Sequence, residues 1–168
     1  MKQYLLILCG LPYAGKTKLR NELIKRFKIS YVSVDELIDE KNLDLGKMTQ
    51  EEWDMVYSEA FENLKKLLTD GKTVIMDIGN LKRSQRNSAK AVAESLNVKH
   101  VLVYIDTPME EIKRRRELNQ KIKERGHLDD QLMDHAINMF EEPTPDEDPI
   151  FYNQNINLEK WVNKYILL

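Results

Sequence analysis

Cysteine and long apolar runs are both scarce in this sequence. Cys9 is the single cysteine among 168 residues, so no internal disulfide can form. It stands in an apolar stretch, where a buried and unreactive thiol is expected. No apolar run approaches the roughly 20 residues of a membrane-spanning helix, and the first apolar stretch is too short for a signal peptide. We therefore expect a cytoplasmic protein with no membrane partner.

The chain also lacks a strong excess of either charge. The formal net charge is −2, from 26 Lys and Arg and 28 Asp and Glu. This balance gives no support to a protein that coats nucleic acid through bulk positive charge. His100, His127 and His135 share no metal-ligand spacing, so we expect surface or packing roles for them. The length suits one well-buried domain, residues 1–168, acting as a monomer or homodimer.

The most informative stretch is a glycine-bounded segment that follows an apolar run at residues 4–9. The pattern G-x-x-x-x-G-K-T between a strand-like run and a helix-like run is typical of a phosphate-binding loop, the Walker A motif. Its glycines let backbone amides turn toward a phosphate, and the following helix adds the partial positive charge of its N-terminus. The predicted nucleotide-binding residues are Gly10, Leu11, Pro12, Tyr13, Ala14, Gly15, Lys16 and Thr17. We expect Lys16 to contact the β and γ phosphates and the Thr17 hydroxyl to bind Mg²⁺.

Beyond this loop, short β-branched or apolar runs alternate with helical patterns. Strands are predicted at residues 4–9, 30–34, 73–77, 100–105 and 150–152. The intervening segments predict helices, including one opened by the capping box Thr49 to Glu52 and one with Thr107 as its cap. This alternation predicts an α/β sandwich of three layers, with a parallel sheet of about five strands and helices on both faces.

Three aspartates follow predicted strands, at the edge where such sheets bind ligands. Asp35 lies in the first turn of a helix after the second strand, Asp77 ends the third strand, and Asp106 follows the fourth. We predict that Asp35 takes the proton of an acceptor hydroxyl, and that Asp77 binds Mg²⁺ directly or through water. Each aspartate has an alternative role. Asp35 would simply be an acidic residue that the helix dipole favours in a first turn, and Asp77 a hydrogen-bonding group at the end of its strand.

An arginine-rich segment at approximately residues 113–128 is predicted to form a lid. Successive helical residues point about 100° apart, so the three arginines at 114–116 cannot all face a nucleotide. We favour Arg115 as the catalytic lid arginine, with Arg125 as a second. A solvated helix face is the alternative for each of them.

These groups together predict phosphoryl transfer, which needs a phosphate cradle, Mg²⁺, a proton acceptor and cations on the transferring group. A GTPase would be expected to carry N-K-x-D after the fourth strand, where this chain has D-T-P-M from Asp106. A motor ATPase usually needs a longer chain. We therefore expect an ATP-dependent kinase with Mg²⁺, and Asn80, Arg83 and Arg86 are candidates to contact the acceptor.

The chain resembles the small P-loop kinases grouped around polynucleotide 5′-kinase, zeta toxin and chloramphenicol phosphotransferase. The resemblance covers most of the length. It rests on G-L-P-Y-A-G-K-T at 10–17, V-S-V-D-E-L at 32–37, V-I-M-D at 74–77, D-T-P-x-E-E-I at 106–112 and F-E-E-P-x-P-D-E-D at 140–148. It implies the P-loop NTPase fold, ATP as donor, Asp35 as the group that activates a hydroxyl, and lid arginines on the transferring phosphate.

Two positions depart from the pattern of the polynucleotide kinases. Ile38 stands where that group tends to have an arginine for the substrate phosphate, and Asn119 stands at the position of a second lid arginine. We therefore expect a small-molecule hydroxyl acceptor, with nucleic acid possible but not favoured. The alternatives are a kinase of nucleic-acid or nucleotide ends, and a nucleotide-binding regulatory or toxin-like module with a protein partner.

Overall fold

The computed structural model describes residues 3–122 and 128–166, and it confirms the α/β architecture. The strands are β1 (Tyr4–Cys9), β2 (Ser30–Ser33), β3 (Val74–Asp77), β4 (Lys99–Ile105) and β5 (Ile150–Tyr152). The helices are α1 (Lys16–Phe27), α2 (Val34–Glu40), α3 (Gln50–Thr69), α4 (Arg83–Ser95), α5 (Met109–Ile122), α6 (Asp130–Met139) and α7 (Leu158–Tyr165). A short 3-10 turn spans Pro145–Glu147. None of the described helices is both long and apolar enough to cross a bilayer.

All five strands are parallel and are ordered β2-β3-β1-β4-β5. The central strand β1 therefore has β3 on one side and β4 on the other. In the β2-β3 pair, Ser33 lies opposite Asp77, so the carboxyl ends of these two strands are level. The helices that follow β1 and β3 pack on opposite faces of the sheet, which opens a crevice between the ends of these two strands.

The buried side chains of β1 alternate between two hydrophobic clusters. Leu5 and Ile7 pack with residues of α3 and α4, whereas Leu6 and Leu8 pack with residues of α1 and α7. Every residue of β1 is buried, as expected for a parallel strand covered on both faces. Cys9 belongs to the first cluster, and burial raises the pKa of its thiol to about 11, so it is protonated and unreactive at neutral pH.

The starts of α3 and α5 differ in whether the predicted capping residue bonds locally or to a distant part of the chain. Thr49 accepts a hydrogen bond from the Glu52 amide, and the Glu52 carboxylate accepts one from the Thr49 amide, which confirms the capping box of α3. Helix α5, by contrast, begins at Met109. The Thr107 hydroxyl donates a hydrogen bond to the carbonyl of Ala14 at 2.8 Å, so this side chain ties the start of α5 to the loop after β1.

The acidic, proline-rich segment at residues 141–149 packs against the start of α4. Arg86 is buried, and its guanidinium donates to both carboxylate oxygens of Glu147 at 2.7 Å. The same guanidinium donates to the carbonyls of Asn80, Leu81 and Glu141. Arg86 therefore joins the loop after β3 to the acidic segment, a role for this segment that the sequence alone does not suggest.

Replacing Glu147 with Gln should destabilise the fold. Both side chains of the Arg86–Glu147 pair are almost fully buried, at 2% and 6% exposure. Removing one partner of a buried pair leaves the other charge uncompensated, which typically costs about 3–5 kcal/mol of the free energy of unfolding. Denaturant unfolding at pH 7 measures the loss.

The same substitution should make the free energy of unfolding depend less on pH at acidic pH. Hydrogen bonds from Arg86 lower the pKa of Glu147 in the folded protein, below its ordinary value of 4.5. This contribution is therefore complete above about pH 4.5 and is lost as the pH falls through the folded pKa. The matched control is Asp146→Asn, because Asp146 pairs with Arg83 at the surface, where an ion pair is worth about 0–1 kcal/mol. Equal losses in the two variants would contradict the assignment.

Candidate active site

The loop between β1 and α1 comes into close contact with its surroundings at both of its glycines. Gly10 has φ of +152°, and a Cβ there would lie 2.9 Å from the carbonyl oxygen of Ile105 in β4. Gly15 has φ of +113°, and a Cβ there would lie 2.5 Å from the side-chain amide nitrogen of Gln154 and 3.3 Å from the Arg115 guanidinium. Side chains at either position would therefore clash as well as strain the backbone.

The N-terminus of α1 is left open by this loop. Gly15 is the N-cap and offers no side chain, and the first turn of α1 contains no acidic residue. Helices α2, α3, α6 and α7 are instead capped by the side chains of Ser33, Thr49, Asp129 and Asn157. The uncapped amides and the positive end of the α1 dipole form a site that suits an anion such as phosphate.

Lys16 lies over this loop. Its ammonium group donates hydrogen bonds to the carbonyl of Gly10 at 2.7 Å and to that of Leu11 at 3.0 Å. The side chain therefore folds back along the loop and keeps a positive charge next to the open amides. The charge also favours the ionised form of Asp77, on the neighbouring strand.

Asp77 is buried at the end of β3 and pairs with an arginine that the sequence analysis missed. The Arg20 guanidinium lies 3.4 Å from the Asp77 carboxylate and 2.8 Å from that of Glu36, and it stacks on the ring of Tyr31. Burial raises the pKa of Asp77, while the charges of Lys16 and Arg20 oppose the rise. The signal in the sequence was an arginine between Leu19 and Leu23 on the buried side of α1.

Asp35 is exposed in the first turn of α2, beside the open loop. Its charge helps to raise the pKa of Asp77 and of Tyr57, so the three side chains lie within electrostatic range of one another. Asp35 forms no ion pair within residues 3–122 and 128–166. It is therefore an accessible carboxylate at this edge, as is the exposed Asp106 after β4, whereas Asp77 is held by Arg20.

The residues near the loop fit a magnesium ion that is shared with phosphate oxygens. Thr17 and Asp77 offer hard oxygen ligands, and the buried Asp77 carboxylate would be stabilised by an added cation. In the part of the chain that the structure describes, no group of three or more His, Cys, Asp or Glu residues is placed to hold a metal. An ion here would complete its shell with phosphate and water oxygens, as Mg²⁺ commonly does.

The three consecutive lid arginines point in different directions. Arg114 is exposed and pairs with Glu111. Arg115 pairs with the same carboxylate and donates to the carbonyls of Tyr13 at 3.1 Å and Ala14 at 2.8 Å. Arg116 binds the carbonyl of Leu128 and the Asp130 carboxylate. Arg115 is thus the member of the triplet that contacts the phosphate-binding loop, and Arg125 lies outside the described residues.

Tyr13 connects the loop to α5 and α6. It is a non-glycine residue with φ of +64°, and its side chain is buried with Ile112 and Met133 in a small hydrophobic cluster. Its hydroxyl accepts a hydrogen bond from the amide of Leu128 at 3.2 Å. Helices α5 and α6 therefore rest directly on the loop after β1, through this ring and through Arg115.

Polar side chains that follow β3 form hydrogen bonds and ion pairs within the protein. Asn80 is fully buried, and its side-chain amide donates to the carbonyls of Leu8 and Met76, which joins the ends of β1 and β3. Arg86 is buried with Glu147, and Arg83 pairs with Asp146. Of these three candidates for contact with an acceptor, Asn80 and Arg86 are buried, and Arg83 is ion-paired at the surface.

Ile38 and Asn119, the two departures from the polynucleotide kinase pattern, are both buried. Ile38 packs in the cluster with α3 and α4. It therefore offers no polar group to an acceptor phosphate.

Known structures share this fold over nearly the whole chain. A sugar kinase from Janibacter sp. HTCC2649 is 17% identical with a TM-score of 0.63, and the match covers 98% of this chain and 92% of that one. Kti12 from Chaetomium thermophilum, in complex with ADP-AlF3, is 15% identical with a TM-score of 0.75 over 96% and 94%. The APS kinase CysC of Mycobacterium tuberculosis, in complex with AMPPNP and APS, is 16% identical with a TM-score of 0.66 over 97% and 95%.

These similarities are low in sequence and therefore establish the fold alone. They confirm the resemblance to P-loop kinases at that level. Comparison with curated protein sequences gives no match. The model of the AAA domain family matches residues 5–143, and the chain therefore belongs to this family, with a P-loop kinase-like fold.

Proposed function

We propose that the protein is a kinase that transfers the γ-phosphate of ATP to a hydroxyl group of a small-molecule acceptor. The observation that carries the proposal is the accessible Asp35 carboxylate beside an uncapped helix N-terminus and a lysine-bearing loop. The first group suits proton transfer, and the others suit a polyphosphate.

Each residue of the site then has a distinct task. The amides of residues 10–17 and the Lys16 ammonium bind the β and γ phosphates, which replace the carbonyls of Gly10 and Leu11 as partners of Lys16. Asp35 orients the acceptor hydroxyl and accepts its proton as the new bond to phosphorus forms. When bound, Mg²⁺ would neutralise phosphate charge, with Thr17 and Asp77 as the residues that hold it.

Arg115 binds the loop that would hold the phosphates. Its guanidinium donates hydrogen bonds to the carbonyls of Tyr13 and Ala14, directly before Gly15 at the N-cap position of α1. A small movement of this group would bring its remaining donors to the transferring phosphoryl, where charge spreads over the oxygens in the transition state. We propose the same task for Arg125, from its position in the predicted lid.

Two of the structural relatives are a sugar kinase and an APS kinase, which supports the kinase proposal. The direct test is incubation of the protein with Mg²⁺, γ-labelled ATP and pools of sugars, nucleosides and other hydroxyl compounds, and of oligonucleotides. Label in a small molecule supports the proposal. Label in oligonucleotide 5′ ends supports a nucleic-acid kinase instead, and nucleotide binding without any transfer supports a regulatory module.

Replacing Asp35 with Asn should separate nucleotide binding from transfer. The amide keeps the size of the side chain but cannot accept the hydroxyl proton, so kcat should fall by about 10²-fold or more. The dissociation constant of ATP, measured by titration calorimetry, should stay within a factor of about two. Transfer at the normal rate in this variant would show that another group accepts the proton.

Replacing Lys16 with Ala is expected to affect the handling of ATP itself. The variant loses the ammonium that contacts the phosphates, so ATP binding or its turnover should weaken by about 10²-fold. The same calorimetric titration and transfer assay measure both effects. Unchanged ATP binding together with unchanged turnover in Lys16→Ala would rule out the proposed loop as the nucleotide site.

Arg115 and Arg114 form a matched pair for testing the lid. Both bind Glu111, but only Arg115 reaches the carbonyls of the loop. Arg115→Ala should therefore lower kcat by about 10²-fold or more, because a cation near the phosphoryl group is lost. Arg114→Ala should change kcat by no more than about twofold. If the two variants had equal activities, Arg115 would have no special role in transfer.

A further inference from the structure

A pair of aromatic side chains at the start of α3 lies beside the site and has no role in the proposal above. Trp53 and Tyr57 are one helical turn apart, and their ring centres are 6.0 Å apart. Both are half-buried, and they pack on the same hydrophobic cluster as Leu43, Leu45 and Met48 of the preceding loop.

Tyr57 is linked to the end of β3 and to the charge of Asp35. Its hydroxyl lies 3.5 Å from the carbonyl oxygen of Ile78, to which it donates, and it accepts a hydrogen bond from the Gln85 amide at 3.4 Å. The Asp35 charge contributes to the raised pKa of Tyr57, after the effect of burial. Because α3 runs back along the sheet from the edge that carries the site, Trp53 lies one turn farther out than Tyr57.

The segment that carries these aromatics is strongly acidic. Residues 34–62 contain ten acidic side chains and two lysines. Both lysines are paired with acids of the same segment, Lys41 with Glu59 at 2.6 Å and Lys47 with Asp44 at 3.0 Å. The field over this side of the site therefore repels anions and attracts cations, and it imposes no such penalty on uncharged molecules.

Arginines offset little of this charge. In the described part of the chain, Arg20 pairs with Glu36 of the segment, and the other arginines pair with acids outside it: Arg26, Arg83, Arg86, Arg114, Arg115 and Arg116. Binding of a phosphorylated acceptor usually relies on an arginine or lysine that bonds the phosphate oxygens. The polar group that is close enough to feel the Asp35 charge is the neutral Tyr57 hydroxyl, which accepts a hydrogen bond from the neutral Gln85 amide.

We propose that the acceptor is a hydroxyl compound without negative charge that has a flat apolar face, such as a nucleoside, and that it stacks on Trp53 with Tyr57 and Gln85 beside its polar edge. The inference rests on the proposed function and narrows it. In the transfer step, the acceptor oxygen bonds to the γ-phosphorus and its proton passes to Asp35. The bond from the γ-phosphorus to the bridging oxygen breaks, and ADP leaves with that electron pair.

The charge requirement is tested with acceptors that differ only by a phosphate remote from the reacting hydroxyl. Adenosine and cytidine are compared with their 3′-monophosphates, which keep the same free 5′-hydroxyl. Glucose and glucosamine are compared with their respective 1-phosphates, which keep the 6-hydroxyl. Transfer from γ-labelled ATP is measured for each compound, and ATP binding is measured separately by calorimetry.

We expect kcat/KM to be about tenfold or more higher for the uncharged or amine-bearing member of a pair, because the acidic segment repels the phosphate. Equal or better transfer to the phosphorylated members overturns this inference and leaves the kinase proposal standing. If ATP binds but no compound of either kind is phosphorylated, the proposed function fails and the inference falls with it.

The role of Trp53 is tested with a matched variant on the same helix. Trp53→Leu should raise the acceptor KM about tenfold, through lost stacking, and leave the KM of ATP within about twofold. Phe61 packs two turns farther along the same stripe, so Phe61→Leu serves as the control and should leave the acceptor KM unchanged. Equal effects of the two substitutions on the acceptor KM would overturn the contact.

Binding is followed without turnover through Trp53 itself. The chain contains two tryptophans, and the other, Trp161, is buried between Tyr152 and Tyr165. In a Trp161→Phe variant the fluorescence comes from Trp53 alone. Saturable quenching by adenosine in the presence of a non-hydrolysable ATP analogue supports the stacked acceptor. Quenching that adenosine 3′-monophosphate produces as strongly would count against it.

Discussion

The open amide groups at the start of α1 are the constraint on which the rest of this structure depends. An uncapped helix N-terminus costs free energy unless its donors find partners, and α2, α3, α6 and α7 avoid that cost with a capping side chain. Here the loop is fixed by glycines, by Lys16 on its carbonyls and by contacts from β4 and α5. The anion site is therefore preorganised, which would lower the conformational free energy spent when a nucleotide binds.

Ion pairs around this loop hold the elements that carry the site in place. Arg20 joins α1 to β3 and α2, and Arg86 joins the loop after β3 to the acidic segment at residues 141–149. The carboxylates at the edge of the sheet then have unequal environments: Asp77 is buried and paired, and Asp35 is exposed. In the proposed kinase, this difference suits Asp77 to stabilise a cation and Asp35 to accept a proton from an acceptor.

The sequence predicted those features that arise from neighbouring residues. The apolar run of β1, the capping box at Thr49 and the glycine loop are confirmed, because each depends on contacts within a few positions. Arg20 and the Arg86–Glu147 pair were missed, because their partners lie tens of residues away along the chain. Thr107 was expected to cap α5 and instead donates to Ala14, 93 positions away, since folding brings the phosphate-binding loop within its reach.

Lys16 and Arg115 both donate hydrogen bonds to carbonyls of the same loop. In the proposed kinase, this shared feature would connect nucleotide binding to movement of the arginine-bearing lid. The amides of the loop attract phosphate, while its carbonyls bind these two cations. An incoming polyphosphate offers both cations charged oxygens, whose hydrogen bonds are roughly twice as strong as those of neutral carbonyls. The exchange frees carbonyls that also anchor α5 through Arg115. In the proposed kinase, arrival of the nucleotide therefore loosens the lid from the loop and gives its arginine a new partner on the phosphates.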